Sequence, residues 1–229
     1  MKKFTKGITM NKRNGLIIFS KYPQYGKVKT RLAATIGNEK AIKFYNVCAK
    51  HLFDAAAALN GDTEIFLYFY PQNELKKIKE WVSKDFNYLP QSNGDLGTKM
   101  NRSFNEAFAK GMEKVVIVGT DIPDVDSELL KKAFDELERH DVVIGPTYDG
   151  GYYLLGLKGP IPSIFRNIEW STHHVFDQTL RKLRELGLKP KLLNKLHDID
   201  TELELLNWLK SKKGDTNFKE SLRKAVFGD

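Results

Sequence analysis

The sequence contains one cysteine, Cys48, so no internal disulfide is possible and the chain must hold itself together by its core. Cys48 lies among apolar residues and reads as a small core hydrophobe in a reducing compartment, which points to the cytoplasm. No apolar run approaches the roughly 18–20 residues of a membrane span. The opening MKKFTKGITMNKRNG is basic but lacks the apolar stretch of about 7–15 residues that a signal peptide needs. Residues 1–14 therefore read as a basic N-terminal extension, with Met10 as an alternative start. Repeats, low-complexity tracts and linkers rich in Pro, Gly or Ser are also missing, so residues 15–229 read as one domain. The P-loop, the G-x-G-x-x-G turn, H-E-x-x-H and G-x-S-x-G are absent, which removes support for hydrolase chemistry and for the standard nucleotide loops.

Charge is present in excess. Thirty-seven Lys and Arg against 29 Asp and Glu give +8 over 229 residues, which favours anionic partners. Much of the excess is peripheral: Lys2, Lys3, Lys6, Lys12 and Arg13 at one end, Lys210, Lys212, Lys213, Lys219, Arg223 and Lys224 near the other. Nucleic acid is a weaker reading, because no recognised motif is present and only Tyr22 and Tyr25 accompany the basic loop described below. Non-specific, salt-sensitive binding is all that the peripheral lysines imply.

Short apolar runs alternate with helical periodicity, the pattern of βα units around a mostly parallel sheet. Strands are expected at 16–19 (LIIF), 64–70, 114–118 (KVVIV), 141–145 and 152–157. Helices are expected at 38–59, 74–82, 97–112, from 126 or 127 to 138, at 172–186 and at 202–210. KVVIV is the best central strand, being short, β-branched and closed by Gly119. Asp149-Gly150-Gly151 between two apolar runs signals a hairpin, hence an antiparallel element within the sheet.

Three segments carry most of the chemical signal. After the first strand, residues 20–32 hold Lys21, Gly26, Lys27, Lys29 and Arg31, suited to polyphosphate at the carboxyl end of a strand, or simply a basic surface loop. Asp121 follows the presumed central strand, where a hard cation would sit between carboxylate and phosphate oxygens. Helix capping does not explain Asp121, since Asp126 and Ser127 stand closer to the next helix. In His197-Asp198-Ile199-Asp200-Thr201 an extended backbone points both carboxylates to one side and Ile199 to the other. Thr201 and Glu204 form a capping box, leaving Asp198 and Asp200 as solvated acids or metal ligands.

Further segments are weaker. Gln91, Gly94 and Asp95 are fit to contact a base or ribose, or form an ordinary turn with Asp95 as a helix cap. Asp149, Gly150, Gly151 and Tyr152 line an acceptor pocket or simply make the hairpin, and Ser171 of Trp170-Ser171-Thr172 reads as a cap.

In order, K-x-P-x-x-G-x-V-K-T-R-L, G-D-L-G-x-K-M, G-T-D-x-P, D-G-G-Y-Y-L-L-G, W-S-T and D-I-D-T resemble a bacterial glycosyltransferase-A-like family, domain of unknown function 2064. That family is related in fold to 2-phospholactate guanylyltransferase and the molybdenum-cofactor nucleotidyltransferases. The resemblance spans about residues 15 to 210. It implies an α/β, Rossmann-like mixed sheet flanked by helices, the nucleotide-diphospho-sugar transferase fold. It further implies that Lys21, Gly26, Lys29 and Arg31 hold nucleotide phosphates and that Asp121, with Asp200 and then Asp198, binds Mg²⁺ or Mn²⁺. Lys99 stands where the family often has Arg, which loses bidentate geometry.

The expected activity is metal-dependent sugar transfer from a nucleotide sugar to a small-molecule acceptor. Asp121, Lys29 and Asp149 are then the catalytic residues, with Asp149 as base. Nucleotidyl transfer from a triphosphate with release of pyrophosphate is the close alternative, and the four cations of the loop speak for it. A nucleotide-binding or nucleic-acid-binding module without turnover is the third reading.

Overall fold

In a computed structural model the described residues are 14–59, 61–211 and 214–228. The basic segment 1–13 and the pair Lys212 and Lys213 lie outside them, whereas Asn14 already belongs to the first strand. The elements in chain order are β1 (Asn14–Lys21), α1 (Thr30–Ile36), α2 (Asn38–Ala57), β2 (Thr63–Tyr70), α3 (Leu75–Val82), β3 (Asn87–Pro90), α4 (Leu96–Ala109) and β4 (Lys114–Gly119). They continue with α5 (Ser127–Glu136), β5 (Val142–Pro146), β6 (Tyr152–Leu157), a 3-10 turn (Pro162–Phe165), α6 (Val175–Glu185), β7 (Lys191–Leu192), α7 (Glu202–Lys210) and α8 (Thr216–Phe227).

One sheet holds the strands in the order β3-β2-β1-β4-β6-β5-β7. β1 is parallel to both β2 and β4, and β6 runs antiparallel to β4 and β5, as the D-G-G turn required. The fold is thus α/β with a mixed sheet, and KVVIV lies at its centre. Because successive strand residues face opposite sides, Leu16 and Ile18 enter one core with α2, α3 and α5 while Ile17 enters another with α4 and α6. Both faces are therefore covered, which accounts for the nearly unbroken apolar runs. A third cluster joins Leu32, Phe44 and Cys48 to Ile199 and to Leu205, Trp208 and Leu222 of the C-terminal helices.

From β1 the chain moves outward to β2 on one side and later to β4 on the other, so the strand order reverses between β1 and β4. Loops leaving the carboxyl ends of these two strands part there, the place at which open α/β sheets take their ligands. Tyr45 of α2 fixes the two ends relative to each other. Its hydroxyl receives the Lys21 N–H at 3.0 Å and lies 2.9 Å from the Lys21 carbonyl and 2.8 Å from Thr120 Oγ1. Having one proton, it donates to only one of the last two at a time. Burial pushes the Tyr45 phenol up, so it stays neutral.

Helix starts follow local chemistry. Asp95 caps α4 by accepting from the Thr98 N–H at 2.8 Å, Asp126 caps α5 from Leu129, and Thr201 and Glu204 complete the capping box of α7. α6 departs from expectation: it begins at Val175, His174 stands at its cap position with no side-chain cap bond, and Ser171 takes a positive φ of 65°.

Tyr45→Phe keeps the ring and its stack on Trp81 but removes the bond between the strand ends. The expected cost is about 1–3 kcal/mol. Denaturant unfolding should register it, and an unchanged midpoint would show that the hydroxyl contributes nothing.

Candidate functional site

The reversal point carries an ion cluster. The side chain of Lys29 is only 4% exposed, and its Nζ lies 2.6 Å from Asp198 Oδ1, 3.3 Å from Asp200 Oδ1 and 3.5 Å from Asp121 Oδ2. Arg31, largely exposed, reaches the other oxygen of Asp200 at 3.1 Å. Sequence segments from the loop after β1, the end of β4 and the stretch before α7 thus meet within one ammonium's reach. Alternation along 198–200 does what was expected: Ile199 is fully buried in the third core cluster and both carboxylates turn the other way.

Burial alone would lower the Lys29 ammonium, but Asp121, Asp198 and Asp200 overcome it and hold the lysine firmly charged. On Asp198, burial dominates and pushes the carboxyl up to about 6, against the pull of Lys29. Lys29 also has an unusual backbone, φ 43° and ψ 49°, the left-handed region that a residue with a β-carbon seldom adopts. The Ala33 N–H bonds to its carbonyl at 2.8 Å and starts α1.

The donor set is hard oxygen, which suits Mg²⁺ or Mn²⁺. Among the described residues, however, no three His, Cys, Asp or Glu side chains form a ready-made metal group. The cation these three aspartates hold is Lys29, where phosphate was its expected partner. Asp121 is half-exposed and does not cap α5, a duty that Asp126 performs.

Other expected site residues are placed differently. Gln91 is buried, and its amide nitrogen donates to the carbonyls of Tyr68, at 3.2 Å, and Ser20, at 3.4 Å. Its donor is spent on tying β1 and β2 together rather than offered to a base. Gly94 has φ +114° and packs on Thr98, and Asp95 is occupied as a cap, its carboxyl lowered by the Thr98 bond. Gly26, with φ +68°, lies exposed in the basic loop beside Lys21 and Lys27. Among the described residues neither of these two lysines forms an ion pair.

The D-G-G turn, β6 and the W-S-T segment build one wall. Asp149 is exposed and accepts from the Gly151 N–H at 3.2 Å, while the Phe176 N–H bonds to the Gly150 carbonyl at 2.9 Å. At Gly150, φ +90°, a β-carbon would fall 2.1 Å from the His173 carbonyl oxygen. At Gly97 it would fall 2.3 Å from the Trp170 indole nitrogen. Two glycines thus let three separate motifs close on each other.

Tyr152 does not line this wall. Its ring packs in the α4 and α6 core and its hydroxyl is buried, because both faces of β6 are covered by helices. The exposed aromatic is Tyr148, 55% accessible, stacked 4.1 Å from the His197 ring with Lys195 Nζ 4.8 Å above it. The sequence does not single out this ring pair, although Tyr148 and His197 each directly precede an aspartate motif.

The family model described as "Uncharacterized protein conserved in bacteria" (DUF2064) matches residues 52–172. The chain belongs to this family. A crystal structure of a candidate nucleotide-diphospho-sugar transferase from Desulfovibrio desulfuricans has a TM-score of 0.85 at 31% identity, covering 93% of this chain and 96% of that one. The DUF2064 fold is also similar to 4-diphosphocytidyl-2C-methyl-D-erythritol synthase from Anaerococcus prevotii, at TM-score 0.58 and 16% identity over 87% and 99% of the two chains. It is likewise similar to the Rv0371c protein of Mycobacterium tuberculosis in complex with manganese, at TM-score 0.52 and 10% identity over 88% and 100%. No curated protein matches the chain in sequence. Among the described residues no helix is long and apolar enough to cross a membrane.

Two substitutions test this geometry. Asp121→Asn should change stability by less than about 1 kcal/mol, since its ion pair is partly solvated, yet weaken binding of Mn²⁺ measured by titration. A large loss of stability with unchanged Mn²⁺ affinity would make Asp121 structural. Gly97→Ala should cost about 1–3 kcal/mol by thermal or denaturant unfolding, because Trp170 must move.

Proposed function

We propose that the protein is a transferase that moves a sugar from a nucleotide-diphospho-sugar to a small-molecule acceptor. The observation that carries this reading is the meeting of Asp121, Asp198 and Asp200 beside the basic loop, at the point where the strand order reverses. The three aspartates would hold Mg²⁺ or Mn²⁺ once Lys29 makes room. When bound, the ion supplies neutralisation of the charge that develops on the departing diphosphate. The exposed Lys21 and Lys27 of the loop bind the phosphates, and Gly26 lets its backbone come close.

The exposed Asp149, whose neighbour Tyr148 bonds to the Leu196 carbonyl close to Asp198, takes the proton of the acceptor hydroxyl as it attacks the sugar. Its orientation is set by the Gly151 N–H. The stacked Tyr148 and His197 rings offer an apolar face of the kind a sugar ring rests on.

Nucleotidyl transfer has less support than the sequence alone gave it. The case for a triphosphate rests on four loop cations, and one of them, Arg31, is engaged with Asp200. The relative that is 31% identical over nearly the whole chain is itself a candidate nucleotide-diphospho-sugar transferase, which favours sugar transfer.

The test begins with a thermal-shift panel of nucleotide sugars and nucleoside triphosphates, each with and without Mn²⁺. The cognate nucleotide at 100 times its Kd should add about 2.7 kcal/mol, roughly 5–10 °C in Tm. A panel in which nothing shifts would end the nucleotide reading. Positive compounds are then incubated with metal and cell-extract metabolites, following nucleoside diphosphate and pyrophosphate separately. Nucleoside diphosphate is the expected product, and acceptor-dependent pyrophosphate from a triphosphate alone would install nucleotidyl transfer instead.

A further inference from the structure

We propose that Lys29 is the resident cation of the three-aspartate pocket, and that a divalent ion enters only as the lysine withdraws. The inference rests on reading Asp121, Asp198 and Asp200 as the cation ligands. Its first support is geometric. All three carboxylates point an oxygen at one ammonium, at 2.6, 3.3 and 3.5 Å, and the lysine side chain is 4% exposed. An ammonium and a dication cannot share these oxygens, because their repulsion acts in the same water-poor space as their attraction to the carboxylates.

The second support is the backbone. Lys29 is held at φ 43°, a conformation that costs a residue with a β-carbon free energy, and the inference from such an outlier runs toward function. The third is the division of labour at Asp200. Lys29 contacts Oδ1 and the exposed Arg31 contacts Oδ2, so Arg31 can remain while Lys29 leaves. A lysine suits the role, being a compact charge on a flexible stem, whereas a guanidinium would lock in place. Asp121 is 44% exposed, which gives an incoming ion a wet ligand to meet first.

Two consequences follow from charge. Three carboxylates against Lys29 and Arg31 leave the cluster net negative, so it still attracts a dication, but weakly. Phosphates arriving at the loop give the ammonium an alternative partner, so nucleotide and metal should strengthen each other's binding by the same factor.

The experiment uses the full chain without nucleotide and measures free Mn²⁺ by its electron paramagnetic resonance signal. Lys29→Met keeps the stem and removes the charge, and it should bind Mn²⁺ at least about tenfold more tightly than wild type. Equal or weaker binding by the variant overturns the inference while leaving the aspartates as ligands. If neither protein binds Mn²⁺ at millimolar concentration, the ligand reading itself fails and the inference with it. Because the variant leaves three carboxylates facing one another and fails to fold in the worst case, a second measurement uses wild type. The ¹H–¹⁵N signal of the Lys29 ammonium should be visible without metal and lost at saturating Mg²⁺. Its persistence unchanged at saturation would also overturn the inference.

Discussion

The candidate site depends on the attraction between one buried ammonium and three carboxylates. A charge taken out of water is costly unless it is paired, and the cost falls on whichever partner is left alone. Burial of Lys29 therefore ties three elements to one another: the start of α1, the end of β4 and the segment before α7. The sheet supplies the platform, since the β1 and β4 ends are adjacent and parallel, and Tyr45 keeps those ends in register. Packing of Ile199 into the third core cluster supplies the last piece, turning Asp198 and Asp200 inward.

The D-G-G and W-S-T segments meet by shape instead of charge. Gly150 and Gly97 remove atoms where the His173 backbone and the Trp170 ring must pass, so the D-G-G, G-D-L-G and W-S-T motifs can be neighbours. The aspartate cluster is thus held by ion pairing and the two glycine contacts by close packing. Only the first has exchangeable parts, because an ion pair can trade its partner while a packed indole cannot.

Much of this was legible in the sequence because it is local. The five strand cores, the caps at Asp95, Asp126 and Thr201, the antiparallel turn and the two-sided character of 198–200 all follow from rules that act within a few residues. What escaped was set at long range or by brevity. β3 is four residues ending in proline, and α1 starts from a lysine in a conformation that favours glycine. α8 was visible only as a charged, helix-like stretch. Lys29 was assigned to phosphate because its charge is readable but its partners, far along the chain, are not. Tyr152 follows the D-G-G turn directly, which suggests a place in the acceptor pocket, but β6 is covered on both faces and its ring packs inward.

The separation between Lys29 and its partners also bears on how the molecule comes into being. Asp198 and Asp200 lie 169 and 171 positions further on, so the contact that completes the ion cluster closes a loop of most of the chain. Such contacts form late, since chain entropy must be surrendered before they reward it. On a ribosome, the sheet through β6 can assemble while the lysine still faces water, and the pocket acquires its character only when the last quarter of the polypeptide has emerged. A chain interrupted before that point would lack Asp198, Asp200 and most of the third core cluster, so the surroundings of Lys29 report on the integrity of nearly the whole length.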